Sequence, residues 1–253
     1  MIPTLTALAT LAACAMLGAF AAQPEASGGW PIHSMERPLP PRVEADEVTV
    51  PPPSDAIVLF DGSSTDAWRK PDGGKITWTL QDDGSMRVER GGDIFSRETF
   101  GDCQLHVEWM CPEGQDHRTG QNRGNSGVFL MEVYEVQVLQ SRENRSYADG
   151  IAGSIYGQNP PMVNPCRAMG QWNSYDIIFR RPHFNQDGSV AKPAIMTVFF
   201  NGVLVQDHFE LMGPTSHTVR APYEAHADAL PIKLQDHGEP VRFRNIWVRR
   251  LAE

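Results

Sequence analysis

Short stretches with the composition of β-strands recur along most of this chain, and no long amphipathic helix pattern separates them. From residue 56 onward, runs rich in β-branched and aromatic residues alternate with turns rich in Gly, Pro, Asn and Asp. The predicted strands are Ile57–Phe60, Ile76–Leu80, Ser85–Glu89, Cys103–Met110, Gly127–Gln140, Ser174–Arg180, Ala194–Gln206, Ile232–Leu234 and Val241–Arg250. Many strands without helices predict an all-β sandwich or barrel, and a length of 253 residues favours a large jelly roll.

The composition agrees with this fold class and excludes one class of partner. The chain holds 22 glycines and 20 prolines, as expected for many short strands joined by turns. Hydrophobic residues make up 41 %, enough for a sizeable core. The formal net charge is −9 and no basic stripe is present, which argues against nucleic acid as a partner.

The N-terminal segment predicts export from the cytoplasm. Residues 2–22 carry no charged side chain, and Ala19-Phe20-Ala21 offers a cleavage site for a signal peptide spanning 1–22. Leu11-Ala12-Ala13-Cys14 resembles a bacterial lipobox, which would instead make Cys14 a lipid-anchored N-terminus, and a permanent transmembrane anchor is a third interpretation. Each predicts a secreted or periplasmic protein, with any membrane attachment limited to this segment.

Residues 23–55 are predicted to form a proline-rich arm before a single folded domain at 56–253. Eight prolines lie between Gln23 and Pro53, so we expect an extended, poorly packed segment that is dispensable for folding. Three cysteines remain after the N-terminal segment, an odd number with no CxxC spacing, and they are predicted to be small buried residues: Cys103, Cys111 and Cys166.

Two strand segments concentrate polar side chains that a core could not hold cheaply. In the run Val133–Gln140, alternation puts Tyr134, Val136 and Val138 on one face, and Glu135 and Gln137 on the other. The run Leu234–Trp247 places Gln, Asp and His on a Gly-Pro turn before two arginines and an asparagine. We therefore predict that Glu135, Gln137 and the turn at 235–237 line one groove.

An ordered series of motifs resembles a known family. The motifs are Leu59-Phe60-Asp61-Gly62, Gly124-Asn125-Ser126-Gly127-Val128, Tyr134-Glu135-Val136-Gln137-Val138, Gly153-Ser154-Ile155-Tyr156-Gly157, Gly170-Gln171-Trp172-Asn173-Ser174-Tyr175 and the Leu-Gln-Asp-His-Gly to Arg-Asn-Ile-Trp run at 234–247. From about Ala56 to Leu251, the chain is similar to the 3-keto-disaccharide hydrolase domain. The resemblance implies a concanavalin A-like jelly-roll sandwich of two antiparallel sheets that cleaves glycosides oxidised at C3.

The residues can be compared with that chemistry. An ordinary glycosidase needs two carboxyl groups across the scissile bond, but Glu135 is the single carboxyl group on its strand face. A residue from another part of the chain, such as Glu108 or Asp236, could supply the second one. A ketone at C3 acidifies the C2 proton, so one base, one proton donor and a stabilised enolate suffice. The candidate catalytic residues are Glu135, Asp236 and His237.

Further polar and aromatic residues are candidates for binding the sugar. They are Asn125, Gln137, Tyr156, Trp172, Gln235, Arg242 and Arg244, and the arginines or Asn125 could also stabilise the enolate. A divalent cation (Ca, Mg or Mn) would fit a hard-oxygen site formed by Glu135, Gln137, Asp236 and His237, although no spacing of metal ligands is diagnostic. The alternative functions are a non-catalytic carbohydrate-binding module and a conventional retaining glycosidase.

Overall fold

The structure, a computed structural model, describes residues 29–252, so the predicted signal peptide at 1–22 and Cys14 lie outside the described residues. Two short 3-10 turns, Gly120–Asn122 and Ala148–Gly150, are the only helical elements in the described part. The strands are β1 Ile57–Phe60, β2 Trp68–Arg69, β3 Thr79–Leu80, β4 Met86–Arg87, β5 Ile94–Phe100, β6 Cys103–Met110, β7 Ser126–Leu130, β8 Tyr134–Val138, β9 Asn173–Arg180, β10 His183–Phe184, β11 Val190–Lys192, β12 Ile195–Phe200, β13 Val203–Glu210, β14 Leu230–Leu234 and β15 Arg242–Arg250.

Two antiparallel sheets make up the body of the fold. The eight-stranded sheet runs β13-β12-β9-β6-β15-β4-β3, with β1 paired to β15, and the five-stranded sheet runs β2-β5-β14-β7-β8. Strands β10 and β11 form a separate hairpin. Most neighbours within a sheet are distant in sequence, so the chain crosses repeatedly between sheets. The predicted concanavalin A-like jelly-roll sandwich of two antiparallel sheets is confirmed.

Alternation along the strands sorts side chains between the core and the outer faces. Tyr134, Val136 and Val138 of β8 are fully buried in the hydrophobic core. The intervening residues Glu135 and Gln137 therefore point to the outer face of the five-stranded sheet, as the sequence predicts. Strands are rigid supports, so this face can fix the direction of polar side chains.

Tight turns divide two of the predicted strands. The run Gly127–Gln140 becomes β7 and β8 because Met131 and Glu132 both adopt positive φ, at 49° and 65°. The run Ala194–Gln206 becomes β12 and β13 at Asn201 and Gly202, which also have positive φ. Both breaks produce antiparallel hairpins.

The arm docks on the sandwich, so the expectation that it is poorly packed is wrong. Val43 donates its backbone N–H to Asn164, and Asn164 donates to the carbonyl of Pro41. Further along, the carbonyl of Val50 accepts a hydrogen bond of 3.0 Å from the indole of Trp247. Prolines prevent strand pairing, but they leave carbonyls free to accept hydrogen bonds from the domain.

The cysteines behave as the sequence predicts. Cys103, Cys111 and Cys166 are buried and unpaired. Burial raises the pKa of the Cys111 thiol to about 12, so the reactive thiolate is scarce at neutral pH.

Within residues 29–252, the structure contains no helix long and apolar enough to cross a membrane.

Candidate active site

A cavity of about 500 Å³ opens on the outer face of the five-stranded sheet. This volume lies in the range of small-molecule binding sites. Its wall combines amides, hydroxyls, imidazoles and one carboxyl group, and it is formed by Gln121, Asn125, Phe129, Glu135, Gln137, Tyr147, Tyr156, Thr215, Ser216, His217, Gln235 and His237. The prediction that Glu135, Gln137 and the turn at 235–237 share one groove is confirmed for Gln235 and His237.

Glu135 is the carboxyl group of this cavity, and the backbone of β7 makes room for it. Gly127 pairs with Gln137 across the hairpin, two positions along from the pair of Phe129 and Glu135. A Cβ atom at Gly127 would overlap the Glu135 Oε1 atom. Glycine at this position therefore lets the carboxyl group lie against the strand.

Burial dominates the electrostatics of Glu135. The residue is 5 % exposed, and no hydrogen bond contributes to the pKa of its carboxyl group. Desolvation raises the pKa of Glu135 to about 8, although the charge of Lys233 lowers it and that of Asp93 raises it further. The group is therefore mainly a neutral carboxylic acid at pH 7, able to donate a proton.

Lys233 of β14 supplies the nearby positive charge. It lies opposite Phe129 in the sheet, and its ammonium is 3.6 Å from the centroid of the Phe129 ring. The same ammonium lies 3.7 Å from an oxygen of Asp93. The Asp93 carboxylate thus competes with Glu135 for this charge, which helps to explain why Glu135 stays neutral.

Amide side chains form a second part of the wall. The Gln137 amide nitrogen donates to the Gln121 Oε1 atom at 2.9 Å, and the Asn125 amide donates to the Gln121 carbonyl at 2.8 Å. The Gln137 Oε1 atom is buried without a hydrogen-bond partner among the described residues. An unpaired buried acceptor is costly, so this oxygen is suited to receive a hydroxyl hydrogen from a bound sugar.

Two tyrosines and a histidine form a hydrogen-bonded series that we call the tyrosine–histidine row: Tyr147, Tyr156 and His217. The hydroxyls of Tyr147 and Tyr156 are 2.8 Å apart, and the Tyr156 hydroxyl lies 3.1 Å from His217 Nδ1. All three residues line the cavity. Fixed hydroxyl and imidazole groups can orient a polar substrate and transfer protons.

Two residues of the turn at 235–237 line the cavity, and the third holds the turn in shape. Gln235 and His237 line the cavity, and His237 is exposed. Asp236 is not part of the wall: one carboxylate oxygen accepts the backbone N–H groups of Gly91 and Gly92, and the other accepts that of Gly238. Burial opposes its charge, but these hydrogen bonds outweigh it and lower the pKa of Asp236. Asp236, predicted as a catalytic residue, instead fixes the turn.

Three predicted sugar-binding residues lie elsewhere because β15, which holds two of them, and β9, which follows Trp172, belong to the eight-stranded sheet. Arg242 pairs with Asp83 and donates to the Ser85 hydroxyl. Arg244 pairs with Glu108, and its guanidinium lies 4.2 Å from the ring of Trp172. The predictions that Trp172, Arg242 and Arg244 contact the sugar are therefore wrong in position, and the arginines cannot stabilise an enolate in this cavity.

Sequence reasoning missed Gln121, Tyr147, Thr215, His217 and Lys233. Tyr147 and His217 lie in loops, where no periodicity predicts a side chain's direction. Thr215 accepts the backbone N–H of Glu135 at 3.1 Å and donates to Val133, so it braces β8. Only Lys233 carried a signal, because it is a lone charge inside a predicted strand.

The described residues of the cavity wall do not include a pair of carboxyl groups. Glu135 is the single acidic side chain among the described residues that form it. Glu108, considered as a distant partner, is buried in the eight-stranded sheet, where it contacts His106 and Arg244. A retaining glycosidase needs two carboxyl groups about 5 to 5.5 Å apart, so this wall lacks its acid–nucleophile pair.

The predicted cation ligands are only partly brought together. Glu135, Gln137 and His237 line the cavity, but Asp236 does not. In the part of the chain from residue 29 to 252, no group of three or more His, Cys, Asp or Glu side chains could hold a metal ion. The predicted four-ligand set is therefore not formed, and we derive no chemical step through a cation.

These features define a jelly-roll protein with a polar cavity on the outer face of one sheet. Residues 55–249 match the 3-keto-alpha-glucoside-1,2-lyase-like domain, and the chain belongs to this family. A 3-keto-disaccharide hydrolase of Bacteroides thetaiotaomicron is 25 % identical to it, with 82 % of this chain and 83 % of that protein aligned. The resemblance inferred from the sequence motifs is confirmed.

Solved structures agree with the fold. A candidate glycosyl hydrolase of Parabacteroides distasonis is 40 % identical, with a TM-score of 0.77, and the match covers 90 % of this chain and 100 % of that one. A second candidate glycosyl hydrolase of the same organism is 19 % identical, with a TM-score of 0.56 over 78 % of this chain and 94 % of its own. The second likeness concerns the fold alone.

Proposed function

We propose that this protein hydrolyses 3-keto-glycosides, 3-keto-disaccharides among them, by elimination across C1–C2 followed by hydration. The family and the named hydrolase relative support the substrate class. One observation carries the mechanism: among residues 29–252, Glu135 is the single carboxyl group of the cavity wall, and burial keeps it protonated near neutral pH. A lone neutral acid suits proton donation to a leaving group better than nucleophilic attack.

In the elimination step, an imidazole of the cavity takes the proton from C2, which the adjacent C3 ketone acidifies. The electron pair of the C2–H bond forms the C1–C2 double bond, and the C1–O bond to the leaving group breaks. Glu135 gives its proton to the departing oxygen. His237, predicted from the sequence, and His217 both line the cavity and are the two candidate imidazoles.

In the hydration step, the same groups reverse their roles. The Glu135 carboxylate takes a proton from water as the oxygen bonds to C1, and the imidazolium returns a proton to C2. Both residues regain their starting protonation states. The net change is one water consumed, one 3-keto sugar released and one alcohol or sugar released, with no redox change.

The amide groups bind and orient the sugar in this proposal. Gln137 offers its unpaired buried oxygen to a hydroxyl group, and Asn125 and Gln235 add polar groups at the wall. Tyr156 presents both a ring and a hydroxyl that is fixed by Tyr147. These contacts supply orientation, which lowers the entropic part of the barrier.

Two predictions stay untested. A divalent cation would be held by the oxygens of Glu135 and Gln137 with His237, and it would polarise the ketone. Such a cation would favour ionised Glu135, whereas the mechanism above requires the neutral acid. Metal content measured after dialysis against a chelator therefore distinguishes a cation-binding Glu135 from a neutral one. Secretion or periplasmic location, with lipid attachment at Cys14 as the alternative, also stays a prediction.

The test compares matched substrates. The wild-type protein is incubated with a disaccharide and with the same disaccharide oxidised at C3, and the released monosaccharide is quantified. We expect release from the 3-keto substrate only, and incorporation of solvent deuterium at C2 of the product. Equal release from the unoxidised sugar would refute the elimination, and binding of both without release would indicate a carbohydrate-binding module.

A further inference from the structure

The start of the described arm packs against the tyrosine–histidine row. The ring centroid of His33 lies 3.9 Å from that of Tyr147, 5.0 Å from that of Tyr156 and 5.1 Å from that of His217. His33 is not among the residues that line the cavity. One side chain of the arm therefore contacts all three members of a row that does line it.

His33 is held in this place by a buried carboxylate. Its backbone N–H donates to Asp149 Oδ2 at 3.0 Å, and its ring Nδ1 lies 3.4 Å from Asp149 Oδ1. Asp149 is 1 % exposed, and Arg220 lies 3.9 Å from it. Burial opposes the charge of Asp149, but the hydrogen bonds and charge of His33 outweigh it and lower the pKa of that carboxyl.

The backbone of the arm shows the same tight fit. His33 has φ of 57°, a conformation that a residue with a side chain adopts at a cost. Its neighbour Ile32 occupies the space beside Gly157, where a Cβ atom would come within 2.9 Å of the isoleucine side chain. Arg220 also donates to the carbonyls of Gly157 and Trp30. Contacts on both sides therefore fix His33 in its strained conformation.

The hydrogen bonds of the tyrosine–histidine row bear on which ring nitrogen of His217 carries the proton. Burial raises the pKa of both tyrosines. Either hydroxyl can donate in the 2.8 Å contact between them, and in one of the two arrangements Tyr156 is the donor and Tyr147 the acceptor. The Tyr156 oxygen is then free to accept the Nδ1–H of His217. This tautomer leaves the His217 Nε2 atom as a proton acceptor.

We propose that His217 is the base that takes the C2 proton and that His33, from the N-terminal arm, is the positioning residue that keeps the tyrosine–histidine row in the geometry this requires. The kinetic part rests on the proposed function. The structural part states that His33 maintains a single tautomer of His217, and it does not depend on the proposed function. The arm is then a component of the active site, not only a linker before the domain.

The structural part is tested by long-range ¹H–¹⁵N spectra of the full chain, with His217 assigned through a His217→Gln variant. The wild type should show His217 protonated at Nδ1 alone. Tyr156→Phe removes the acceptor and should give mixed tautomers, and His33→Ala should do the same. His33→Phe, which keeps a ring against Tyr147, should retain most of the wild-type pattern. Glu44→Gln, an exposed arm residue that pairs with Arg42 and Arg142, should retain it fully.

The kinetic part uses the same variants on a 3-keto-disaccharide. We expect His33→Ala to lower kcat on the order of 10-fold with little change in KM, because misplacing a reacting group costs rate more than binding. His217→Gln should lower kcat on the order of 10²-fold or more. Wild-type spectra in both His33→Ala and Tyr156→Phe would overturn the positioning role, whether or not the protein cleaves a 3-keto-glycoside. Full kcat in His217→Gln would overturn the base while leaving the reaction itself intact.

Discussion

Replacing Glu135 by glutamine should stabilise the protein while it removes the proposed proton donor. The wild-type carboxyl has a pKa of about 8 in the folded state against 4.5 as its ordinary value. Between these values the unfolded chain is ionised and the folded chain is protonated, so ionisation favours unfolding. Glutamine has the same shape but does not ionise, and therefore escapes this destabilisation.

The magnitude follows from the width of the pH interval. One pKa unit corresponds to about 1.4 kcal/mol, so the roughly 2.5 units between the unfolded pKa and pH 7 give about 3 kcal/mol as an upper estimate. For a chain of this size, that corresponds to about 6 to 12 °C in Tm. The difference should be close to zero below about pH 4.5, grow as the pH rises and level off above about pH 8.

The assay is urea unfolding of the wild type, Glu135→Gln and a Glu132→Gln control at pH 5, 7 and 8.5. Glu132 lies in the turn three residues away and outside the cavity wall, so its variant should follow the wild type at every pH. In parallel, Glu135→Gln should lose kcat on the order of 10²-fold. A difference that does not change with pH, or a glutamine variant less stable at pH 8.5, would refute the neutral buried acid.

Three further predictions concern the supports of the site. Gly127→Ala should lower kcat and destabilise the fold by about 1 to 3 kcal/mol in urea unfolding, because the new methyl group overlaps Glu135 and Phe129. Unchanged stability would contradict that packing. Deletion of residues 23–53 should lower the Tm by several degrees, contrary to the expectation from proline content, because the docked arm contributes hydrogen bonds. Burial opposes the charge of His106, but hydrogen bonds to Asp176 and Glu108 raise the pKa of His106. The stability that protonated His106 contributes is therefore complete below about pH 6.5 and is lost as the pH rises through the folded pKa. Between pH 6 and 8, the free energy of unfolding of Asp176→Asn should change less with pH than that of the wild type.

The side-chain period of a strand explains what could be predicted and where prediction failed. Period-two alternation correctly put Tyr134 in the core and Glu135 on the outer face. Strand β5 was not predicted, because its central residues Arg97, Glu98 and Thr99 are exposed and polar and leave only its ends apolar. The sequence motifs also suggested Arg242 and Arg244 as sugar-binding residues, but they did not show that β15 belongs to the sheet without the cavity.

The sequence by itself determined the jelly-roll class, the family and the direction of Glu135 and Gln137, because these depend on local alternation, turn residues and ordered motifs. The tertiary structure alone decided which other groups meet them. Tyr156 and His217 are 61 residues apart, and His33 and Asp149 are 116 apart, so no local pattern links the two partners of either contact. The pKa of Glu135 was equally hidden, because a carboxyl loses its water only when distant strands and loops close around it.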